Sequence, residues 1–213
     1  MTLYKGNTKL GAIYHGSTKI GKIYKGSTLL YEDNPIPVDT VIANTQEAGS
    51  AQLYPGTYEM KVSGAGGTGK GELGYWAISY ASGGSAAVWE GTIRITSVVN
   101  IAWTTGTGEA VSVTVSIGGT SVLTAGGGSN VPNASTGGDG GTLTKQSAFD
   151  TYKVSETVSS NGTKGQGGTQ AWGNWNTPGT PVTASASTMN WGIGESAKDG
   201  GRTNGGFYLK RIS

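Results

Sequence analysis

VSVTVSIGGTSVLT, residues 111–124, alternates Val111, Val113, Val115 and Ile117 with Ser112, Thr114 and Ser116. Gly118-Gly119 then turns the chain back into Thr120–Thr124. A period of two is that of a strand with one face buried and the other in water. Two glycines between such runs read as a two-residue hairpin turn. The stretch is therefore an antiparallel hairpin.

The same alternation recurs on both sides. Tyr58, Met60 and Val62 alternate after the Pro55-Gly56 turn. Ala87, Trp89, Ile93 and Ile95 share one parity across Gly91, with Val88, Glu90, Thr92 and Arg94 on the other. Tyr152–Val158 reads as a further strand followed by an Asn161-Gly162 turn, and Phe207–Ile212 as the last. No convincing amphipathic helix is present. Short strands separated by turn signals predict an all-β chain whose main domain is a sandwich or jelly-roll-like fold.

Composition agrees. Of 213 residues, 39 are Gly, 28 Thr and 21 Ser, yet the net charge is only +2 and six Trp and ten Tyr are present. A solvated coil needs high net charge and few aromatics, so the chain reads as globular. Zero Cys excludes disulfides, thiolate metal sites and cysteine nucleophiles. No apolar run approaches a membrane span, and the opening Met1–Lys5 lacks the apolar core of a secretory signal, so neither is expected. Residues 1–31 carry five Lys and no acid, but the lysines recur at regular spacing. That favours a solvated strand face over a nucleic-acid arm.

The regular spacing comes from a repeat. Residues 3–12 read LYKGNTKLGA, 13–22 read IYHGSTKIGK and 23–31 read IYKGSTLLY. The period of ten fits no helix, and Gly-Asn or Gly-Ser between β-compatible runs is the signature of a type II′ turn. Closing the chain on Gly6-Asn7, Gly16-Ser17 and Gly26-Ser27 gives a short β-meander, residues 1–31. It pairs Leu3 with Leu10, Ile13 with Ile20 and Ile23 with Leu30, and sets Tyr14 and Tyr24 opposite Lys19 and Leu29. Ile20 and Ile23 then fall on opposite faces, so either Gly21 marks a bulge or both faces are covered. A ribbon with so little apolar area is marginal alone, which argues for packing against copies of itself. Glu32-Asp33-Asn34-Pro35-Ile36-Pro37 breaks the repeat, so residues 32–48 read as a linker and 49–213 as a Gly-rich β domain.

Within that domain Gly clusters occupy 64–74, 126–141, 162–173 and 192–206. Gly64-Ala65-Gly66-Gly67 is no phosphate loop, because neither a Lys-Ser/Thr pair nor a helix follows at the needed spacing. The clusters are either turns with close backbone approaches or packed extended segments of polyglycine type. Sequence leaves both open.

The run Gly56-Thr57-Tyr58-Glu59-Met60-Lys61-Val62-Ser63-Gly64-Ala65-Gly66-Gly67 resembles the G-x-Y-x-x-x-V-x-G-A-G-G opening of Gly-rich phage tail-fibre and receptor-binding adhesin domains. Ser82-Gly83-Gly84-Ser85-Ala86-Ala87 is similar to the next segment of that family, and Gly205–Ile212 to its final strand. The ten-residue repeats resemble short modules of tailed-phage structural proteins. The resemblance implies a non-enzymatic virion protein, tail-fibre-like and homo-oligomeric, as a trimer. Its implied partners are other virion proteins and a host cell-surface glycan or protein, without nucleic acid or membrane insertion. A purely architectural virion protein is the alternative.

The residues offer little chemistry. The lone histidine, His15, holds the repeat position of Lys5 and Lys25, so a Ser-His-Asp triad and histidine metal sites are not expected. Glu90 and Glu109 could form a glycosidase pair, but Glu90 lies on the Thr92/Arg94 parity, the expected outer face, and no motif joins the two. No catalytic residue, metal or cofactor is therefore assigned. The aromatic signal is stronger. Trp89 and Trp103 alternate like core residues, whereas Trp172, Asn174, Trp175 and Asn176 fall in one Gly/Asn/Thr loop and Trp191 in another. Tyr75, Trp76 and Tyr80 border a further Gly-rich stretch. Aromatic rings in polar loops can stack on sugars while asparagines bond hydroxyls, so these eight residues are the candidate receptor- or glycan-binding set.

Overall fold

A computed structural model describes residues 4–5, 8–9, 14–32, 35–73, 77–105, 110–131, 136–171 and 204–213. The repeat region forms hairpins: β1 (Tyr4–Lys5) with β2 (Thr8–Lys9), β3 (Tyr14–His15) with β4 (Thr18–Lys19), and β5 (Lys22–Lys25) with β6 (Thr28–Glu32). His15 pairs with Thr18 and Lys25 with Thr28, which leaves two-residue turns at Gly16-Ser17 and Gly26-Ser27. Gly16 and Gly26 have φ of 65° and 61°, while neither serine is at positive φ. Positive φ at the first turn position alone is the type II′ requirement. Gly6-Asn7 lies outside the described residues.

Tyr14 stands opposite Lys19 and Tyr24 opposite Leu29, as the repeat predicts. Two details differ. Ile23 pairs with Tyr31, so Leu30, the expected partner of Ile23, is the extra residue of a bulge. The three hairpins are also separate two-stranded sheets among the described residues, rather than one meander.

The main domain contributes β7 (Val41–Thr45), β8 (Gly49–Leu53), β9 (Gly56–Ser63), β10 (Lys70–Leu73), β11 (Ala77–Ala81), β12 (Val88–Ile95) and β13 (Val99–Thr104). It continues through β14 (Val113–Ile117), β15 (Thr120–Ala125), β16 (Leu143–Lys145), β17 (Lys153–Ser160), β18 (Gly167–Ala171) and β19 (Gly206–Arg211). Ten of these strands form two five-stranded antiparallel sheets, ordered β17-β12-β9-β19-β7 and β16-β15-β14-β13-β8. The fold is an all-β sandwich. Residues 41–45, inside the stretch read as linker, are an edge strand of the first sheet. Among the described residues the one helical element is a 3-10 turn, Ser147–Thr151.

Both alternations read from sequence point inward. Tyr58, Met60, Val62, Trp89 and Ile93 from one sheet meet Val113, Val115, Ile117, Leu123 and Ile101 from the other. Gly118 and Gly119, at φ 61° and 80°, make the β14–β15 turn, as positive φ at both central positions requires. The core is cemented by aromatic pairs. Trp103 and Phe207 stack across the sheets at 4.4 Å, and Trp89 meets Phe149 edge-on at 5.0 Å.

Among the described residues the Gly clusters are not turns. Segments 64–68, 82–87, 126–131, 138–142 and 161–166 run extended, outside any sheet ladder, and bond to one another with a period of three. Ser82 N and Ser85 N donate to Gln166 and Thr163, while Gly84 N and Ala87 N donate to Ser129 and Gly126. The carbonyls of Ser82 and Ser85 accept from Gly138 and Gly141, and those of Gly84 and Ala87 from Gly67 and Gly64. Segment 82–87 is thus surrounded by four others. Three residues per turn without internal hydrogen bonds is polyproline II geometry, so every backbone group must find a partner on a neighbouring chain. Where a segment's Cα faces a neighbouring backbone, only Gly permits this packing. A Cβ on Gly64 would sit 2.5 Å from the Gly126 carbonyl oxygen, and one on Gly126 would sit 2.7 Å from that of Thr142. Asn161-Gly162, expected as a turn, instead opens one of these segments: Asn161 Oδ1 accepts from Leu143 N and Gly162 N donates to Gly141.

Candidate functional site

Three chain runs share one plan. β9 continues through 64–69 into β10, β11 through 82–87 into β12, and β17 through 161–166 into β18. Their order is kept throughout, with β12 between β9 and β17 in the sandwich and β11 between β10 and β18 in a separate three-stranded sheet. The glycine bundle therefore joins the sandwich to a distal sheet. Segments 126–131 and 138–142 also run through the bundle, where Val131 N donates to Thr68 just before β10.

Two of the candidate aromatic residues adjoin strands of that distal sheet in the sequence. Ala77 and Ala171 are paired across β11 and β18, and Leu73 faces Ile78 at the same end. Trp76 directly precedes Ala77 and Trp172 directly follows Ala171. Tyr75 and Trp76, with Trp172, Asn174, Trp175, Asn176 and Trp191, lie outside the described residues. Tyr80 lies in β11, with Gly71 on one side and Gly168 on the other. Its backbone is three residues inward from Ala77. Sequence reading did not connect 75–76 with 172–176, because a pairing across 94 residues leaves no local signal.

The linker reaches the domain at the other end. Asp39 N donates to the Arg211 carbonyl at 2.9 Å, Arg211 N to Thr40 at 3.0 Å, and the Arg211 guanidinium to the Ile36 carbonyl. Lys210 Nζ lies 2.8 Å from Asp39 Oδ1, and that hydrogen bond holds the ammonium above its ordinary pKa. The linker and the glycine bundle thus join the sandwich at opposite ends.

Glu90 departs from expectation. It faces away from the main core, as its parity predicts, yet it is only 3% exposed and lies 3.9 Å from Lys61 Nζ. The outer face is covered there, with Val88 and Val158 buried beside it. Glu109 lies outside the described residues. Among the described residues, no three His, Asp or Glu side chains converge as a metal site, and His15 sits exposed before a hairpin turn.

A second acid is built into the sandwich edge. Glu156 accepts from the Trp89 indole at 2.6 Å and from Lys145 at 3.0 Å, tying an edge of one sheet to an edge of the other. Burial pushes its carboxyl up, but the Trp89 and Lys145 hydrogen bonds outweigh burial and hold it below the usual range. A lowered folded pKa gives stability that is present above the unfolded value, near 4.3, and lost as pH falls through the folded one. Glu156→Gln is therefore expected to lower Tm at pH 7 and leave it nearly unchanged at pH 3, read from thermal melts across that range.

The chain matches no protein-family model and no curated protein sequence.

Proposed function

We propose that this chain is a non-enzymatic, homo-oligomeric, tail-fibre-like component of a phage virion that binds the host surface through its distal loops. The observation that supports the reading is the Ala77–Ala171 register, since Trp76 precedes the one residue and Trp172 follows the other in sequence. A glycine bundle with every segment bonded to its neighbours is a stiff support, and rigid scaffolds beneath variable loops suit binding. The similarity of 56–67, 82–87 and 205–212 to Gly-rich adhesins favours the same role. On this reading the N-terminal hairpins face the virion. There they pack against copies of the chain or other virion proteins.

Trp172→Ala, Trp175→Ala and Trp191→Ala combined test it directly. Cell-bound fluorescence of labelled full-length protein on host bacteria is expected to fall at least about tenfold, as loss of central aromatic anchors does at other interfaces. Undiminished binding with an unchanged melt would remove the loops as the receptor surface and favour the purely architectural role.

A further inference from the structure

The two sides of the sandwich end differently. On one side β16 and β17 are guarded by charge: Lys145 and Glu156 bridge the two sheets at 3.0 Å, and Lys153 pairs with Asp150. On the other, β7 and β8 end the two sheets with VIANT and GSAQL, which hold neither charge nor proline. Among the described residues each pairs on one flank only, β7 with β19 and β8 with β13. Edge strands ordinarily carry Lys, Pro or a bulge, because their free N–H and C=O groups template further pairing. Here the one such device is the bulge at Ile42. Val38 and Val41 add aliphatic surface at this edge, 51% and 50% exposed.

The two free edges stand level and run in opposite directions. Trp103 stacks on Phe207 across the sheets, and these residues pair with Gly49 and Thr45, so Gly49 and Thr45 lie at one height. Val41 and Leu53 are the other ends of the same two strands, toward the linker. Packed sheets lie about 10 Å apart. A partner that fills both ladders must therefore present two strand edges at that spacing, which a single peptide strand does not. A second copy of this sandwich does.

We infer that two copies of the chain join along this side, about a two-fold axis parallel to the strands. Rotation about that axis sets the first sheet of each copy beside the second sheet of the other and leaves strand directions unchanged. β7 and β8 are antiparallel within a copy, so β7 of each copy meets β8 of the other antiparallel, in both sheets at once. Five residues face five, and Asn44 of each copy falls beside Ser50 of the other. An axis perpendicular to the sheets would instead pair β7 with β7 and send the two linker ends apart. The parallel axis keeps both sets of hairpins at one end. The inference rests on the homo-oligomeric part of the proposed function, not on receptor binding, and sets a dimer in place of the trimer implied by the family resemblance.

The chain has no cysteine, so introduced thiols report only on themselves. Asn44 and Ser50 are exposed on opposite outer faces of one sandwich, paired with Tyr208 and Ala102, so thiols there cannot meet within a chain. Between the two copies they are neighbours in one sheet. The full chain carrying Asn44→Cys and Ser50→Cys, treated with a short bis-maleimide, is expected to run as a covalent dimer on a denaturing gel. Either substitution alone should not cross-link, because the axis leaves like positions on opposite faces. Light scattering of the unmodified chain is expected to give twice 21.6 kDa. Ser50→Lys, at an exposed position, should weaken the dimer at least about tenfold in sedimentation by burying an unpaired charge. A single-chain mass would overturn both the inference and the homo-oligomeric reading. A trimer, an oligomer without the double-cysteine cross-link, cross-linking by Asn44→Cys alone, or an equally strong Ser50→Lys dimer would each overturn the inference and leave that reading standing.

Discussion

Gly84→Ala is expected to cost the Gly-rich domain most of its stability, whereas Gly119→Ala in the same domain should cost only about 1–2 kcal/mol through its left-handed turn conformation. The contrast rests on what surrounds each residue. A Cβ on Gly84 would overlap the Asp139 carbonyl and stand 2.9 Å from the carbonyl oxygen of Gly138, while one on Gly119 meets nothing within 4 Å. Overpacking against side chains typically costs 1–3 kcal/mol because those chains can swing aside. Backbone cannot. Gly84 also donates to Ser129 and accepts from Gly67, so its segment cannot retreat without breaking bonds on two sides. The cost should consume most of a stability that is ordinarily about 5–15 kcal/mol for a domain. Urea melts followed by tryptophan fluorescence would check this. Equal, small losses in both variants would mean that the bundle is not packed as described.

Trp89→Ala is expected to destabilise by about 3–5 kcal/mol, the range for truncating a fully buried large aromatic. The ring is 0% exposed and packs edge-on against Phe149. Its indole nitrogen reaches the sandwich edge to bond Glu156. Losing it opens a cavity and deprives the buried side of that carboxylate of its donor. Trp89→Phe separates the two contributions, since it retains most of the packing but not the hydrogen bond. Its loss should be about 1–3 kcal/mol. A Phe variant as unstable as the Ala variant would place the whole effect in the hydrogen bond.

Much of the sandwich was legible because its signal is local. Val113, Val115 and Ile117, like Tyr58, Met60 and Val62, announce a strand and its buried face through a period of two, and both sets are in the core. The glycine segments carry no such mark. Without side chains they show no parity, and their period of three appears only in hydrogen bonds to residues far along the chain. Glu90 illustrates a different limit: its parity was readable, but parity cannot tell whether the face beyond the sheet is covered. Ile23 shows a third, because a bulge at Leu30 shifts the pairing by one without altering any residue in the repeat. For the candidate site, the individual aromatics were evident from composition. The β11–β18 register that pairs the neighbours of Trp76 and Trp172 is encoded by no local pattern.

The junction at Asp39 and Arg211 also has a mechanical consequence. Among the described residues β7, the strand nearest the hairpins, pairs in its sheet with β19 alone, and Val41 of β7 and Arg211 of β19 lie at the same end of the sandwich. Tension running from the hairpins to the aromatic loops pulls β7 along its own axis and loads all of its ladder bonds together, in shear. Tension between the two chain termini peels the same bonds apart one after another. The domain is therefore strongest along the line that joins its linker end to its glycine bundle.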